Sequence, residues 1–250
     1  MISKARIKQI HALELRKYRR EHQLFVAEGP KLVGDLLQTM QPEYVAALPS
    51  WIQQNQDRLH SSQVDSITED ELQRASLLRT PKDVIALFRI QQHPWDDSIP
   101  MHHLVLALDG VQDPGNLGTI VRIADWFGIE DILCSLDTVD IYNPKAIQAT
   151  MGAIARVRIH TVSLPEVIGR TGCPVYGTFL DGEDMYHKTL DDHGIIVMGN
   201  EGNGISPLVG ALVNERLFIP NYPRERQTSE SLNVAIATSI ICAEFRRRQP

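Results

Sequence analysis

Short apolar runs separated by segments of helical periodicity follow residue 103, and this alternation constrains the fold more than any other feature. Each run is apolar at nearly every position, which is typical of strands buried on both faces of a parallel sheet. Such a sheet carries helices on both faces. The predicted strands are residues 104–108, 132–134, 175–180, 195–198 and 217–219, and the clearest predicted helices are residues 118–127, 143–155 and 233–248.

The first part of the chain predicts a smaller α/β domain. Residues 1–20 carry Ile7, Ile10 and Leu13 among basic residues, which indicates one amphipathic helix. Prolines and aspartates at 91–100 interrupt the pattern and predict a linker. We therefore expect domains at 1–95 and 96–250. The predicted elements of the first domain are strands at 24–27, 44–48 and 84–90 and helices at 31–40 and 69–78.

Charge is distributed unevenly along this acidic chain of 250 residues and net charge −6. Met1 to Lys31 holds eight basic and three acidic residues. A local basic face can bind the phosphates of a nucleic acid although the whole chain is negative. A solvated helix face would show the same run, so both interpretations stay open.

Cysteine and histidine placement predicts neither disulfides nor a metal site. Cys134, Cys173 and Cys242 include no C-x-x-C pair, and the nine histidines include no H-E-x-x-H. No apolar run approaches the ~20 residues of a membrane span, and the basic start has no signal-peptide core. These features predict a cytoplasmic protein that binds no metal or membrane.

The segment after the first parallel strand carries a candidate catalytic arginine. Asn116 is a good N-cap residue, so we expect the next helix to begin there. Thr119, Arg122 and Trp126 then share one helix face. A guanidinium one turn inside this helix suits a phosphate or ribose of RNA. A surface arginine paired with a carboxylate is the alternative.

A glycine-rich loop follows residues 195–198. Its order, with Gly199, Gly202 and Gly204, differs from the dinucleotide pattern G-x-G-x-x-G, and Glu201 would repel a pyrophosphate. The loop better suits a ligand with positive charge, such as S-adenosylmethionine, than NAD. A tight structural turn is the alternative for this loop taken alone.

A third segment begins at Ile219-Pro220 and continues, after a polar stretch at 221–230, with Ser231-Leu232-Asn233 and an apolar helix. Ser231 or Asn233 is a suitable helix cap. In open α/β folds ligands bind at the carboxyl ends of the strands. All three segments follow strand ends, so we expect them to surround one ligand.

Together these segments resemble the SpoU/TrmH family of RNA ribose 2'-O-methyltransferases in the SPOUT superfamily, over residues 104–247. Asn116, Gly118 and Arg122 match the first motif, residues 198–202 the second, and residues 219–220 with 231–234 the third. Residues 143–145 and 149–153 resemble the segment between them. The N-terminal part, with residues 25–29 and Thr80-Pro81, resembles the L30e-like substrate-binding domain of the family.

The resemblance implies a deep trefoil knot, an exception to the usual rule against threaded chains. It also implies a homodimer whose partner completes each site with its own Arg122. The cofactor would be S-adenosylmethionine, held near Gly199, Ile219 and Leu232 with Thr178 and Phe179 as walls. One departure is the connection at 221–230, which is longer than usual and lacks glycine.

The expected reaction is attack of a ribose 2'-hydroxyl on a sulfonium methyl group. The resemblance points to Arg122 as base or activator, but arginine stays protonated, so we interpret it as an electrostatic clamp. Asn116, Glu201, Ser231 and Asn233 would orient the substrate and loops. Ribosomal RNA is expected ahead of transfer RNA, and a non-catalytic RNA-binding or ribosome-assembly factor is the alternative.

Overall fold

The computed structural model describes residues 1–59, 63–223 and 231–248. Its contacts divide the chain into two compact units. The first contains Met1–Gln92 and Asp140–Ala155, and the second contains His93–Val139 and Arg156–Pro250. Residues 143–145 and 149–153, which resemble the family's segment between motifs, therefore belong to the first unit. The division between residues 95 and 96, and the role of each domain, stay predictions.

Helices and strands alternate along most of the described chain. The helices are α1 (Lys4–Ala12), α2 (Arg16–His22), α3 (Pro30–Leu36), α4 (Pro49–Asn55), α5 (Glu69–Ala75), α6 (Pro114–Trp126), α7 (Pro144–Thr150), α8 (Leu164–Thr171), α9 (Pro207–Gly210) and α10 (Val234–Arg247). The strands are β1 (Leu24–Glu28), β2 (Pro42–Ala47), β3 (Gln63–Ser66), β4 (Val84–Arg89), β5 (Leu104–Leu108), β6 (Asp131–Cys134), β7 (Arg158–Thr161), β8 (Val175–Asp184), β9 (Gly194–Met198) and β10 (Glu215–Phe218).

The first unit is built on a four-stranded sheet of order β1-β4-β2-β3. Strand β4 pairs antiparallel with β1 and β2, and β2 pairs parallel with β3. Helix α7 packs against β1, where the Gln148 side chain donates to the carbonyl of Glu28 at 2.8 Å. The ring of Tyr142 lies 5.2 Å from that of Phe25. The segment Asp140–Ala155 thus covers one end of this sheet.

The basic N-terminal helix predicted for residues 1–20 is two helices, α1 and α2, so that prediction is wrong in its continuity. The buried side chain of Arg19 explains the break. It donates to the carbonyls of Leu13 and Glu14 between the helices, and to the carboxylate of Asp140 at 2.7 Å. Arg19 is 2% exposed. It therefore stabilises the fold and does not belong to the predicted basic surface.

The second unit contains the predicted parallel sheet, with six strands in the order β10-β8-β9-β5-β6-β7. Alternate side chains of the strands point to opposite faces. Val175 belongs to the cluster that packs with α8 and α9. The next residue, Tyr176, stacks edge-on against Phe245 of α10, which in turn packs beside α6. Helices thus cover both faces, and the predicted fold class is confirmed.

Two strands, β3 and β7, were missed by the hydrophobic pattern. Both are edge strands of their sheets. Edge strands bury less of their surface and can carry polar side chains, and β7 accordingly contains Arg158 and His160, which both bind Asp131 of β6. Polar edge strands leave no apolar run to detect.

The strand connections determine where the functional segments lie. Because β5 pairs with β9, with Leu108 opposite Met198, the segments that follow these two strands begin side by side. The predicted knot and the conformation of the 221–230 connection depend on residues 224–230, which lie outside the described residues, so both stay predictions. No helix in the described ranges is long and apolar enough to span a bilayer.

Candidate active site

Helix α6 carries the first motif, and it begins earlier than the sequence predicted. Its N-cap is Asp113, whose carboxylate accepts the N–H of Asn116 at 2.8 Å, and Pro114 occupies the first helical turn. The prediction of Asn116 as N-cap is therefore wrong by three positions. An Asp-Pro pair is itself a helix-start signal, and it was present in the sequence.

Asn116 instead joins the three motifs through its side chain. Its Nδ2 donates to Oε1 of Glu201 at 3.0 Å, and its Oδ1 accepts from Nδ2 of Asn233, also at 3.0 Å. Asn233 is the N-cap of α10, and its Oδ1 accepts the N–H groups of Ala235 and Ile236. One residue from each motif thus belongs to a single hydrogen-bonded network, as expected from their placement at strand ends.

The carboxylate of Glu201 is held in its ionised form. Burial acts to raise the pKa of Glu201, but hydrogen bonds from the Asn116 amide and from backbone N–H groups lower it below the usual value. The N–H groups of Gln112 and Asp113 approach the carboxylate at 3.4 and 3.5 Å. Glu201 therefore supplies a fixed negative charge rather than a proton donor.

The loop that contains Glu201 closes tightly on itself. The N–H of Asn200 donates to the carbonyl of Gly204 at 2.9 Å, and the N–H of Gly204 donates back at 3.0 Å. A Cβ on Gly199 would lie 2.2 Å from the carbonyl carbon of Gly204, a distance that real side chains do not adopt. The loop thus requires glycine at 199, because the backbone of Gly204 fills the space that a side chain would take.

Arg122 projects from the exposed face of α6, together with Thr119 and Trp126, as predicted. Its guanidinium makes no hydrogen bond or ion pair with any residue that the structure describes. The alternative of a surface arginine paired with a carboxylate finds no support there. This exposed cation, which has no partner among the described residues, is available to bind an anionic group.

Thr178 and Phe179 lie in a bulge of β8. The register against β10 passes directly from Gly177 to Glu183, so residues 178–182 arch out of the sheet. The guanidinium of Arg216 lies 3.5 Å from the ring centre of Phe179 and pairs with Asp181 at 2.5 Å. One face of Phe179 is therefore covered, and its role as a cofactor wall stays a prediction.

Ile219, Ser231 and Leu232 lie on either side of the residues outside the description. Ile219 is half-buried, while Ser231 and Leu232 are exposed. The cofactor-binding role predicted for Ile219 and Leu232, and the orienting role predicted for Ser231, are untested by these positions. No cluster of His, Cys, Asp and Glu able to hold a metal lies among the described residues.

Sequence reasoning assigned no role to Asp109 or to Asn200, although Asn200 lies within the second motif. The Asp109 carboxylate accepts the N–H of Ser206 at 2.7 Å, and the Asn200 side chain bonds to the backbone of Gly110. Asp109 directly follows β5, and Asn200 lies inside the glycine-rich loop. A polar residue at a buried strand end was the available signal for Asp109.

With this geometry established, comparison with known proteins decides the family. The model of the SpoU rRNA methylase family matches residues 103–243, more than half of the chain. The chain belongs to the SpoU rRNA methylase family. A second model, of the MRM3-like substrate binding domain, matches residues 4–86. The predicted family, and its place among RNA methyltransferases, are confirmed.

Solved structures and a relative of similar length agree with this assignment. A protein of the TrmH family of RNA methyltransferases from Porphyromonas gingivalis is 40% identical, with a TM-score of 0.89 over all of both chains. An AdoMet-bound rRNA methyltransferase from Sinorhizobium meliloti is 28% identical, with a TM-score of 0.89 over 100% of this chain and 97% of that chain. The 23S rRNA (guanosine(2553)-2'-O)-methyltransferase RlmP of Bacillus subtilis is 27% identical over 250 residues and 96% of each chain.

Proposed function

We propose that this SpoU-family protein transfers a methyl group from S-adenosylmethionine to a ribose 2'-hydroxyl of ribosomal RNA. The observation that carries the proposal is the network that joins Asn233, Asn116 and Glu201 across the three motifs. The exposed Arg122 lies on the same helix as Asn116. Relatives that act on 23S rRNA favour ribosomal over transfer RNA, and a cytoplasmic location is part of the same proposal.

The residues around the glycine-rich loop fit the cofactor. Gly199 packs directly against the backbone of Gly204 and so fixes the shape of the loop, and the ionised Glu201 favours a ligand that carries positive charge. Gly199, Ile219 and Leu232 would hold the cofactor through backbone groups, with Thr178 and Phe179 beside it. When bound, S-adenosylmethionine supplies an activated methyl group. A dinucleotide is disfavoured because Glu201 would repel its pyrophosphate.

Arg122 would contact the RNA, and it would not remove the proton of the 2'-hydroxyl. Its guanidinium stays charged at all physiological pH values, so it would stabilise negative charge on the 2'-oxygen or on the adjacent phosphate. The hydrogen bond between Asn116 and Asn233 links the N-terminal ends of α6 and α10 at the site. Together with Ser231 and Glu201, these two asparagines would orient the ribose relative to the cofactor.

A homodimer is part of the proposal, and the outer faces of α6 and α10 support it. These two helices pack side by side. Trp126 of α6 is 83% exposed and Ile236 of α10 is 55% exposed. Ile240 and Ala243 extend the apolar stripe along α10 at helical spacing. A second copy of the chain would cover this surface and bring its Arg122 to the site.

Two measurements test the proposed function. Calorimetry of the purified protein should show binding of S-adenosylmethionine at micromolar to submillimolar concentrations. Mass-spectrometric mapping of rRNA and tRNA from a strain that lacks the gene should show one missing 2'-O-methyl group in rRNA, restored by the purified enzyme. Absence of cofactor binding at millimolar concentration would instead support a non-catalytic RNA-binding factor. A 2'-O-methyl group missing from tRNA alone would show that transfer RNA is the substrate.

A further inference from the structure

The Asn200 side chain makes three hydrogen bonds that tie the glycine-rich loop to the end of β5. Its Nδ2 donates to the carbonyl of Gly110 at 2.7 Å. Its Oδ1 accepts the N–H groups of Gly202 at 2.9 Å and Asn203 at 3.0 Å. The amide therefore closes the loop with one atom and docks it on β5 with the other.

Gly110 is a fixed anchor for this contact. Its N–H donates to the hydroxyl of Ser135, beyond the end of β6, at 2.9 Å. Its φ of +74° favours glycine, and a Cβ there would lie 3.2 Å from Oδ2 of Asp137. The residue whose carbonyl accepts from Asn200 is thus held in place by Ser135, which follows β6. Helix α6 begins only a few residues later, after Asp113.

The far end of the loop is tied to the same place. Ser206 donates its N–H to the carboxylate of Asp109, which is 8% exposed and precedes Gly110. Between these two ties lies Glu201, the residue next to Asn200, whose carboxylate receives Asn116 at 3.0 Å. The position of Glu201 relative to α6 therefore depends on the docking of Asn200.

We propose that Asn200 is a positioning residue for methyl transfer, which acts by docking the loop on Gly110 so that Glu201 meets Asn116. This inference rests on the proposed function and deepens it. Loss of the docking bond would leave the chain folded, because Asp109 still holds the other end of the loop. It would misplace Glu201 and slow the reaction more than it weakens cofactor binding.

The first test compares Asn200→Asp with Asn203→Asp. The aspartate at 200 can still accept from Gly202 and Asn203, but its oxygen would repel the Gly110 carbonyl. Asn203 is an exposed residue of the same loop whose side chain bonds to no described residue, so Asn203→Asp controls for the added charge. We expect kcat to fall about tenfold in Asn200→Asp, as for the loss of a hydrogen bond that leaves a polar group unpaired, and to stay near wild type in Asn203→Asp.

Asn200→Ser separates docking from loop closure. A serine hydroxyl can accept from the next backbone N–H groups but is too short to reach Gly110. If docking matters, Asn200→Ser should be as slow as Asn200→Asp, with the dissociation constant of S-adenosylmethionine changed less than kcat. Wild-type kcat in Asn200→Ser would overturn the proposal.

A double-mutant cycle tests whether Asn200 acts through Glu201. Glu201→Ala removes the carboxylate that Asn116 meets, and its residual turnover is measured under single-turnover conditions. In this background Asn200→Asp should lower kcat less than twofold, because coupled residues are non-additive. A full additional tenfold loss would show that Asn200 acts independently and would overturn the inference.

Failure of the proposed function would look different, since the wild-type protein itself would then bind no cofactor or transfer no methyl group.

Discussion

Residues of the same type have different roles in this protein because their burial differs. Arg19 is buried, and its donors are used on Leu13, Glu14 and Asp140. Arg122 is exposed, and no described residue uses its donors. A buried guanidinium must be paired to offset the loss of its hydration, whereas an exposed one can exchange water for a ligand. Of these two arginines, Arg122 is the one available to an anionic ligand.

Arg122→Ala should lower methyl transfer by at least about a hundredfold, in line with the loss of a charged group that stabilises developing negative charge. Its dissociation constant for S-adenosylmethionine should stay near the wild-type value, because Arg122 would contact the RNA. Single-turnover methylation and calorimetry measure the two quantities. Substantial activity in Arg122→Lys would indicate that charge suffices, and near-normal turnover in Arg122→Ala would remove Arg122 from the mechanism.

Asp131 provides a residue-scale prediction about stability. It is 2% exposed and accepts from Arg158 at 2.5 Å and from His160 at 2.8 Å. Burial acts to raise the pKa of Asp131, but the hydrogen bonds from Arg158 and His160 outweigh it and lower the pKa to about 2. Asp131→Asn should lower the free energy of unfolding by about 2 kcal/mol at pH 7, because it removes the ionised acceptor of the buried His160 ring and of the partly exposed Arg158 guanidinium.

The pH dependence of this loss has a definite sign. A depressed carboxyl pKa stabilises the folded state above the unfolded pKa of about 4, and the stabilisation is lost as the pH falls toward 2. The difference between wild type and Asp131→Asn in urea unfolding should therefore shrink as the pH falls from about 5 to about 2. Glu130→Gln is the matched control: Glu130 pairs with the same Arg158 but is 69% exposed, so its effect should stay under about 1 kcal/mol. A pH-independent gap would contradict the assignment.

At the scale of the element, the glycine-rich loop is defined by close backbone packing. Gly199 and Gly202 are three positions apart but differ in their surroundings. A Cβ on Gly199 would meet the backbone of Gly204 at 2.2 Å, whereas the nearest atom to a Cβ on Gly202 is Oδ1 of Asn200 at 3.6 Å. Backbone cannot give way as a flexible side chain can, so of these two positions only 199 requires glycine.

Gly199→Ala should therefore open the loop and weaken S-adenosylmethionine binding by at least about tenfold, because overpacking displaces the backbone. Gly202→Ala should bind within about twofold of wild type, since 3.6 Å is ordinary contact. Calorimetry on both variants decides the point, with melting temperatures as a check on folding. Equal affinities in the two variants would mean that the loop does not hold the cofactor.

At the scale of the whole molecule, the exposed apolar face of α6 and α10 predicts that two copies act together. The face includes Trp126 and Ile236 as well as Arg122. Large exposed apolar side chains that line up on adjacent helices are typical of an interface between subunits. If the partner's Arg122 completes each site, then a cofactor loop and an arginine from different copies should cooperate.

Mixed subunits test this arrangement directly. With S-adenosylmethionine kept well below the dissociation constant of Gly199→Ala, that variant and Arg122→Ala should each be nearly inactive alone. In a heterodimer one site combines the intact loop of one copy with the intact arginine of the other. Co-refolding or co-expression of the two variants should restore roughly a quarter of wild-type activity, the fraction expected from random pairing in a two-fold dimer. No recovery, with dimers confirmed by sedimentation, would place Arg122 in the site of its own chain.

The sequence alone determined the class of the second unit and predicted the position of its site. Continuous apolar runs report burial on both faces, and burial on both faces requires a parallel sheet with helices on each side. Polar and glycine residues at the ends of those runs then mark the edge where ligands bind. These inferences needed only local patterns, because strand ends of a parallel sheet meet wherever the strands pair.

Only the tertiary structure decided which side chains meet across long sequence distances. Asn116 is of a residue type that commonly caps helices, but its side chain bonds to Glu201 and Asn233, which are 85 and 117 residues away. The sequence predicts that Arg19 is a surface cation, whereas in the structure it is buried and paired with Asp140. Periodicity measures how each element is buried, and it carries no information on which partner covers a given side chain. That choice depends on strand order and loop closure, which arise only when the whole chain packs.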